Sequence, residues 1–266
     1  MDGVGVTADG FGLRGPRGWA FRGIGVDAEP GSLIAIEGPS GSGRTSLLLA
    51  LTGRMKATEG TATVGGAGLP KRPAAVRRVA ALAHVTGVTD LDPALTVGEH
   101  LRERALLQRR FGGSVRELLR PRAERAAESG LRISAALDAA GLDREALPKG
   151  SRTAVRDLER LEALRLSVAL ALIGRPGLLG VDDVDLKLSG AEREAAWALL
   201  RSLAEAGTTV LAVCAEAPED TVALSTRVDA GTSAQETGSK TGDAETEQET
   251  EREEEMADAL AATGRA

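Results

Sequence analysis

Tyrosine is absent from this 266-residue chain, and tryptophan (two), phenylalanine (three) and cysteine (one) are nearly so. With 2% aromatic residues the core has to be packed by Leu, Val and Ala. A single cysteine, Cys214, cannot form an internal disulfide, and at the end of TTVLAVC it reads as a small buried residue in a protein of a reducing compartment. The start, MDGVGVTADG, has no basic region followed by an apolar core, so no signal peptide is expected. No apolar run reaches the roughly 18 to 20 residues of a membrane span. A strong charge of either sign is also missing from the body. The net charge of −6 comes from residues 231–266, where ten acidic residues face three basic ones, leaving 29 acidic and 30 basic residues in 1–230. A near-neutral body without a basic stripe argues against a nucleic-acid partner. The acidic segment has almost no apolar residues and is expected to be a disordered tail, 231–266.

What the chain does have is LIAIEGPSGSGRTSLLLAL, Leu33 to Leu51. A short apolar run, long enough for a buried strand, is followed by Gly38, Pro39, Ser40, Gly41, Ser42, Gly43, Arg44, Thr45 and Ser46, and then by a run that suits a helix. This is the phosphate-binding pattern with Arg44 where lysine is expected. The glycines let the backbone come close to a ligand. The unpaired N–H groups of the loop and of the helix's first turn, at the positive end of its dipole, form an anion site. Thr45 would place a hydroxyl on magnesium, and Arg44 would reach the terminal phosphates. Arginine keeps the charge but is a planar fork, not a compact ammonium, so binding should survive the change better than catalysis. The ligand expected is a nucleoside triphosphate, ATP first; a ligand-free glycine turn is the alternative.

Upstream, Val4–Thr7 and Trp19–Val26 read as strands joined by the turn GLRGPRG. Trp19 or Phe11 is a candidate to stack on the adenine, with sheet packing as the alternative, favoured for Phe21. Val79–Val85 reads as a buried strand with His84 packed inside it, and His100 as a residue on a polar helix face. A largely helical insertion is expected from Val97 to Ala140 and a longer helix from Thr153 to Gly174. GLLGVDD ends a buried strand in two carboxylates, of which Asp182 is the magnesium candidate; a solvated strand end is the alternative. Helix over Ala191–Ala206 and strand over Thr208–Cys214 follow. Strands alternating with helices imply a mostly parallel sheet covered on both faces, with the ligand at the strands' carboxyl ends.

Taken in order, these segments resemble the nucleotide-binding subunit of an ATP-binding cassette (ABC) transporter over about residues 4–216. The phosphate loop and following hairpin, LTVGEHL (Leu95–Leu101), SVALALIGRPGLLGVDD and AGTTVLAVCAE carry the resemblance. It implies an α/β P-loop NTPase fold of ABC type: a mostly parallel sheet flanked by helices, an N-terminal antiparallel β part, and a helical subdomain at about 97–172 within a domain of 1–230. It implies ATP and Mg2+ as ligands, an integral-membrane transporter subunit as partner, a homo- or heterodimer with another nucleotide-binding subunit, and a cytoplasmic place on the inner face of the membrane. The glutamate that polarises the attacking water in the family falls on Asp183, one methylene shorter.

Other positions depart further from the family. No glutamine lies between Val76 and Gln108, where the glutamine loop belongs near Thr86 or Gly87. The signature Leu-Ser-Gly-Gly-Gln falls on LERLE, Leu158–Glu162, so Glu159 and Glu162 would meet a phosphate with like charge. The D-loop aspartate is Ser189 and the switch histidine Ala215. The leading expectation is therefore an ATP-binding transporter subunit with weak or impaired hydrolysis. Two others stay open: a nucleotide-binding regulator or scaffold that hydrolyses nothing, and an active P-loop kinase or NTPase outside the transporter family.

Overall fold

The computed structural model describes residues 3–111 and 121–226. The acidic tail and the middle of the insertion, residues 112–120, lie outside them. The elements run β1 (Val6–Gly15), β2 (Gly18–Ala28), β3 (Leu33–Glu37), α1 (Arg44–Leu51), β4 (Glu59–Val64), β5 (Ala67–Leu69), α2 (Pro73–Val79), β6 (Ala80–Ala83), α3 (Val97–Phe111), α4 (Arg122–Ala139), α5 (Arg160–Leu172), β7 (Leu178–Val181), α6 (Gly190–Glu205), β8 (Thr209–Val213) and β9 (Val222–Ser225).

Five strands form a parallel sheet in the order β6-β7-β8-β3-β9, and four form an antiparallel sheet in the order β2-β1-β4-β5. β3, β7 and β8 are short apolar runs because both faces of a parallel sheet are covered. Alternation within β3 sorts its side chains. Ile34 and Ile36 join a cluster with α1 and the antiparallel sheet, whereas Leu33 and Ala35 join a second cluster built from α3 to α6. Gly180 of β7 has to be small, because a Cβ there would sit 2.8 Å from Leu82 Cδ2 and 2.9 Å from Leu48 Cδ1. The sheet can then lie close under α1.

The α/β P-loop architecture is thus as expected, with an antiparallel β part that starts at the N-terminus but takes β4 and β5 from beyond α1, while several local boundaries differ. GLRGPRG is not one turn. β1 runs through Gly15, Arg14 pairs with Trp19, and the reversal is confined to Pro16 and Arg17. Shifts of register after Ala8 and Phe11 absorb the glycines as bulges. The strand expected at Val79–Val85 is only four residues long, because His84 turns into left-handed backbone (φ 55°) and is exposed. His100, by contrast, is buried with Nε2 3.3 Å from the Asp92 carbonyl. The helix expected from Thr153 begins at Arg160. Residues before it form 3-10 turns at Gly150–Arg152 and Val155–Asp157 and a bridge between Ala154 and Thr96.

Candidate nucleotide site

The site starts with how α1 is held. Eight residues make too short a helix to be stable alone. Leu47, Leu48 and Leu51 are fully buried, each contributing about 2 kcal/mol of apolar transfer. That packing fixes the helix from its inner face and leaves its N-terminus free. No side chain caps it, and no acidic residue lies in its first turn. Among the described residues, the N–H groups of Gly41, Gly43, Arg44, Thr45 and Ser46 find no acceptor, while Ser42 N–H donates to the Pro39 carbonyl at 3.2 Å. Free amides at the positive end of a packed helix make an anion site.

Glycine is required at two points of the loop. Gly43 has φ 85°, and a Cβ there would lie 1.9 Å from the Ala20 carbonyl oxygen of β2. Gly38 has φ 148°, and its Cβ would meet Thr226 Oγ1 at 2.4 Å. Thr226 follows β9, a strand that no pattern in the sequence had marked. Its hydroxyl donates to the Glu37 carbonyl at 3.0 Å and lies 2.5 Å from Ser42 Oγ, which is therefore the donor to it. The short run VALS between polar residues was the one available sign of that strand.

Asp182 leaves the end of β7, with β8 between it and β3. It is buried (3% exposed), and Thr45 Oγ1 donates to both its oxygens, at 3.1 and 2.9 Å. Burial raises its pKa; the Thr45 hydrogen bond opposes that rise and the Asp183 charge adds to it. No group of three His, Cys, Asp or Glu side chains gathers here among the described residues. Thr45 and Asp182 offer oxygen donors alone, the kind of ligand that suits Mg2+.

Asp183 is half-buried in left-handed backbone (φ 47°), and its N–H donates to Asp182 Oδ1 at 3.2 Å. His84, at the end of neighbouring β6, has its pKa lowered by crowding from protein, against the pull of Asp183 and Asp90. Arg44 Nη1 donates to the backbone carbonyl of Cys214 at the end of β8. Cys214 itself is buried, and loss of water pushes its thiol up to about 12, so it is inert.

The structure separates the two aromatic candidates. Phe11 is fully buried against Phe21, with ring centroids 5.9 Å apart, and cannot reach a base. Trp19 stays exposed, one residue from the Ala20 carbonyl that faces Gly43.

The remaining positions are engaged in local structure. Glu159 is the N-cap of α5, and its N–H donates to Glu162 at 2.8 Å. Ser189 caps α6 and forms a reciprocal pair with Glu192, at 2.8 and 3.3 Å. Ala215 N–H donates to Asp185 at 2.8 Å.

Comparison with known proteins follows the same lines. The family profile described as ABC transporter matches residues 21–185. Nod factor export ATP-binding protein I of Cupriavidus metallidurans is 33% identical over 187 residues, 70% of this chain and 54% of its own length. The Fe(3+) ions import ATP-binding protein FbpC of Streptomyces avermitilis is 33% identical over 191 residues, 71% of this chain and 49% of its own. The chain thus spans about half the length of these relatives. Among solved structures, dimeric MJ0796, a bacterial ABC transporter cassette, aligns with TM-score 0.63 at 20% identity, over 83% of this chain and 94% of that one. The same cassette in a post-hydrolysis state bound to ADP and Pi aligns with TM-score 0.58 at 22% identity, over 79% and 88%. At such identities the structural likeness is one of fold.

Proposed function

Because the chain belongs to the ABC transporter family, we propose that it is the ATP-binding subunit of such a transporter, with weak or impaired hydrolysis of its own. The observation that carries this reading is the Thr45 hydroxyl on both oxygens of buried Asp182, beside the unpaired amides of Gly41 and Gly43 to Ser46. Residues 38–46 would hold the phosphates through those amides. Arg44 would leave the Cys214 carbonyl for the terminal phosphates, and Thr45 and Asp182 would hold the metal. Magnesium bound there would neutralise charge on the phosphate oxygens. Of the two aromatic candidates for the base, Trp19 alone is exposed.

Asp183 is the remaining carboxylate for orienting an attacking water. Its side chain is a methylene shorter than the family's glutamate, and errors near 1 Å in such a position cost about 100-fold in rate. Ala215 has no side-chain proton to give or accept. These features support a degenerate site, in a homodimer or beside a competent second nucleotide-binding subunit. The start of α5 supports a second reading, a nucleotide-binding regulator or scaffold without turnover, since the Glu162 carboxylate takes the N-cap N–H and puts negative charge there.

No described helix is long and apolar enough to cross a membrane, so attachment at the cytoplasmic face would run through a membrane-embedded partner. A cleft of about 590 Å³ between β6 and α3 suits that contact. Arg54, Arg77 and Arg104 line it, each donating to a backbone carbonyl, beside exposed Val88 and Leu107. Asp90 and Glu103 line it as well, so the cleft suits a partner segment of mixed charge with some apolar side chains.

Calorimetry with ATP, with and without Mg2+, tests the reading: binding that strengthens with the metal is expected, and absence of heat at millimolar nucleotide overturns it. Phosphate release, measured alone and with the membrane partner, then separates subunit from scaffold. Any release is expected to vanish in Asp183→Asn.

A further inference from the structure

The ring of Trp19 is already in use. The Arg22 guanidinium lies over it at 4.7 Å from the centroid, and that of Arg14, its cross-strand neighbour, at 5.7 Å. Arg22 is held there by a fork on Glu59 of β4, Nε to Oε2 at 3.0 Å and Nη2 to Oε1 at 3.4 Å. The ring itself leans over Gly12 of β1, where a Cβ would come within 3.3 Å of Trp19 Cζ3 and 3.4 Å of Glu59 Oε2. Three strands, β1, β2 and β4, thus lay the indole against the antiparallel sheet with cations over it. A base and a guanidinium compete for the same π surface.

We propose that Arg22 is a specificity-determining residue which keeps the nucleobase off Trp19, so that the site selects a magnesium-bound triphosphate with little regard to its base. The inference rests on the phosphate-loop reading above and deepens it. A base that stacks on Trp19 has to displace Arg22 and break the fork on Glu59, and the gain from stacking is largely offset by those losses. On a bound nucleotide the loop amides, Arg44, Thr45 and Asp182 would meet phosphate and metal but not the base, so their contribution is common to every nucleoside triphosphate and to inorganic tripolyphosphate.

Calorimetry with Mg2+ and ATP, GTP or tripolyphosphate, on the wild-type chain, Arg22→Ala and Glu59→Gln, tests this. In the wild type the three affinities are expected to fall within about fivefold of one another. Arg22→Ala should raise the affinity for ATP by about two- to fivefold, the size of one exposed cation–π contact. It should leave tripolyphosphate unchanged, and adding Trp19→Ala should cancel the gain. Glu59→Gln, which weakens the hold on Arg22 without removing it, should give a smaller gain of the same sign. ATP binding ten times or more tighter than both GTP and tripolyphosphate in the wild type, or no gain in Arg22→Ala, overturns the inference and leaves the phosphate-loop reading intact. If neither ATP nor tripolyphosphate binds, the phosphate-loop reading itself fails.

Discussion

Three helices of the chain begin in different ways. α1 starts with no cap, no acidic residue in its first turn, and free amides. α5 and α6 start closed, each with a glutamate three residues in whose carboxylate accepts the N-cap N–H. All three have the same backbone dipole, so the difference lies in the side chains alone. One start is open to an external anion, and the other two supply their own.

The sharpest way to break the contrast is at Gly43. Gly43→Ala forces a side chain into left-handed backbone and onto the Ala20 carbonyl. A loss of about 3 kcal/mol in stability is expected, with MgATP affinity falling by more than about tenfold. Thermal unfolding and calorimetry read the two effects. If both stay at wild-type values, α1 is no more an anion site than its neighbours.

Asp182→Asn sharpens the contrast with opposed effects. Without the carboxylate, the gain in ATP affinity on adding Mg2+ should drop by about tenfold or more. The nucleotide-free protein should melt higher than wild type at pH 7, because a buried negative charge is gone. The sign follows from the raised pKa of Asp182. The folded state binds that proton more tightly than the unfolded state, so the wild type gains stability as the pH falls from above that raised pKa toward the unfolded value. The difference in Tm between the two proteins should therefore close on acidification. A constant gap between pH 7 and pH 4 would rule out this account of Asp182.

The smallest effect belongs to α5. Glu162→Gln should weaken the cap and cost about 0.5 kcal/mol, with ATP affinity of the isolated chain changed by less than about twofold. A clear gain in affinity would show that α5 faces the chain's own loop.

The legible part of the sequence was the part with short-range rules. Gly38 to Ser46 announced its loop because glycine spacing and the cation position are local, and LIAIE and TVLAV announced buried strands because both faces are apolar. What escaped depended on contacts distant in sequence. The bridge from Thr96 to Ala154 displaces the start of α5, and nothing near Ala154 encodes it. His84 sits in an apolar run that reads as strand, yet its N–H donates to Ser167 Oγ at 2.7 Å and the backbone turns there. The acids of LERLE gave their charge but not their occupation. Only coordinates show Glu162 closing its own helix.

Thr226 carries a practical consequence. Its hydroxyl bolts the residue after β9 to both Glu37 and Ser42, so the rim of the phosphate loop is stitched to a position 180-odd residues downstream. Shortened versions made for crystallisation or for fusion have to keep Thr226. A chain cut before it would still contain every letter of the glycine loop but not the knot that shapes it.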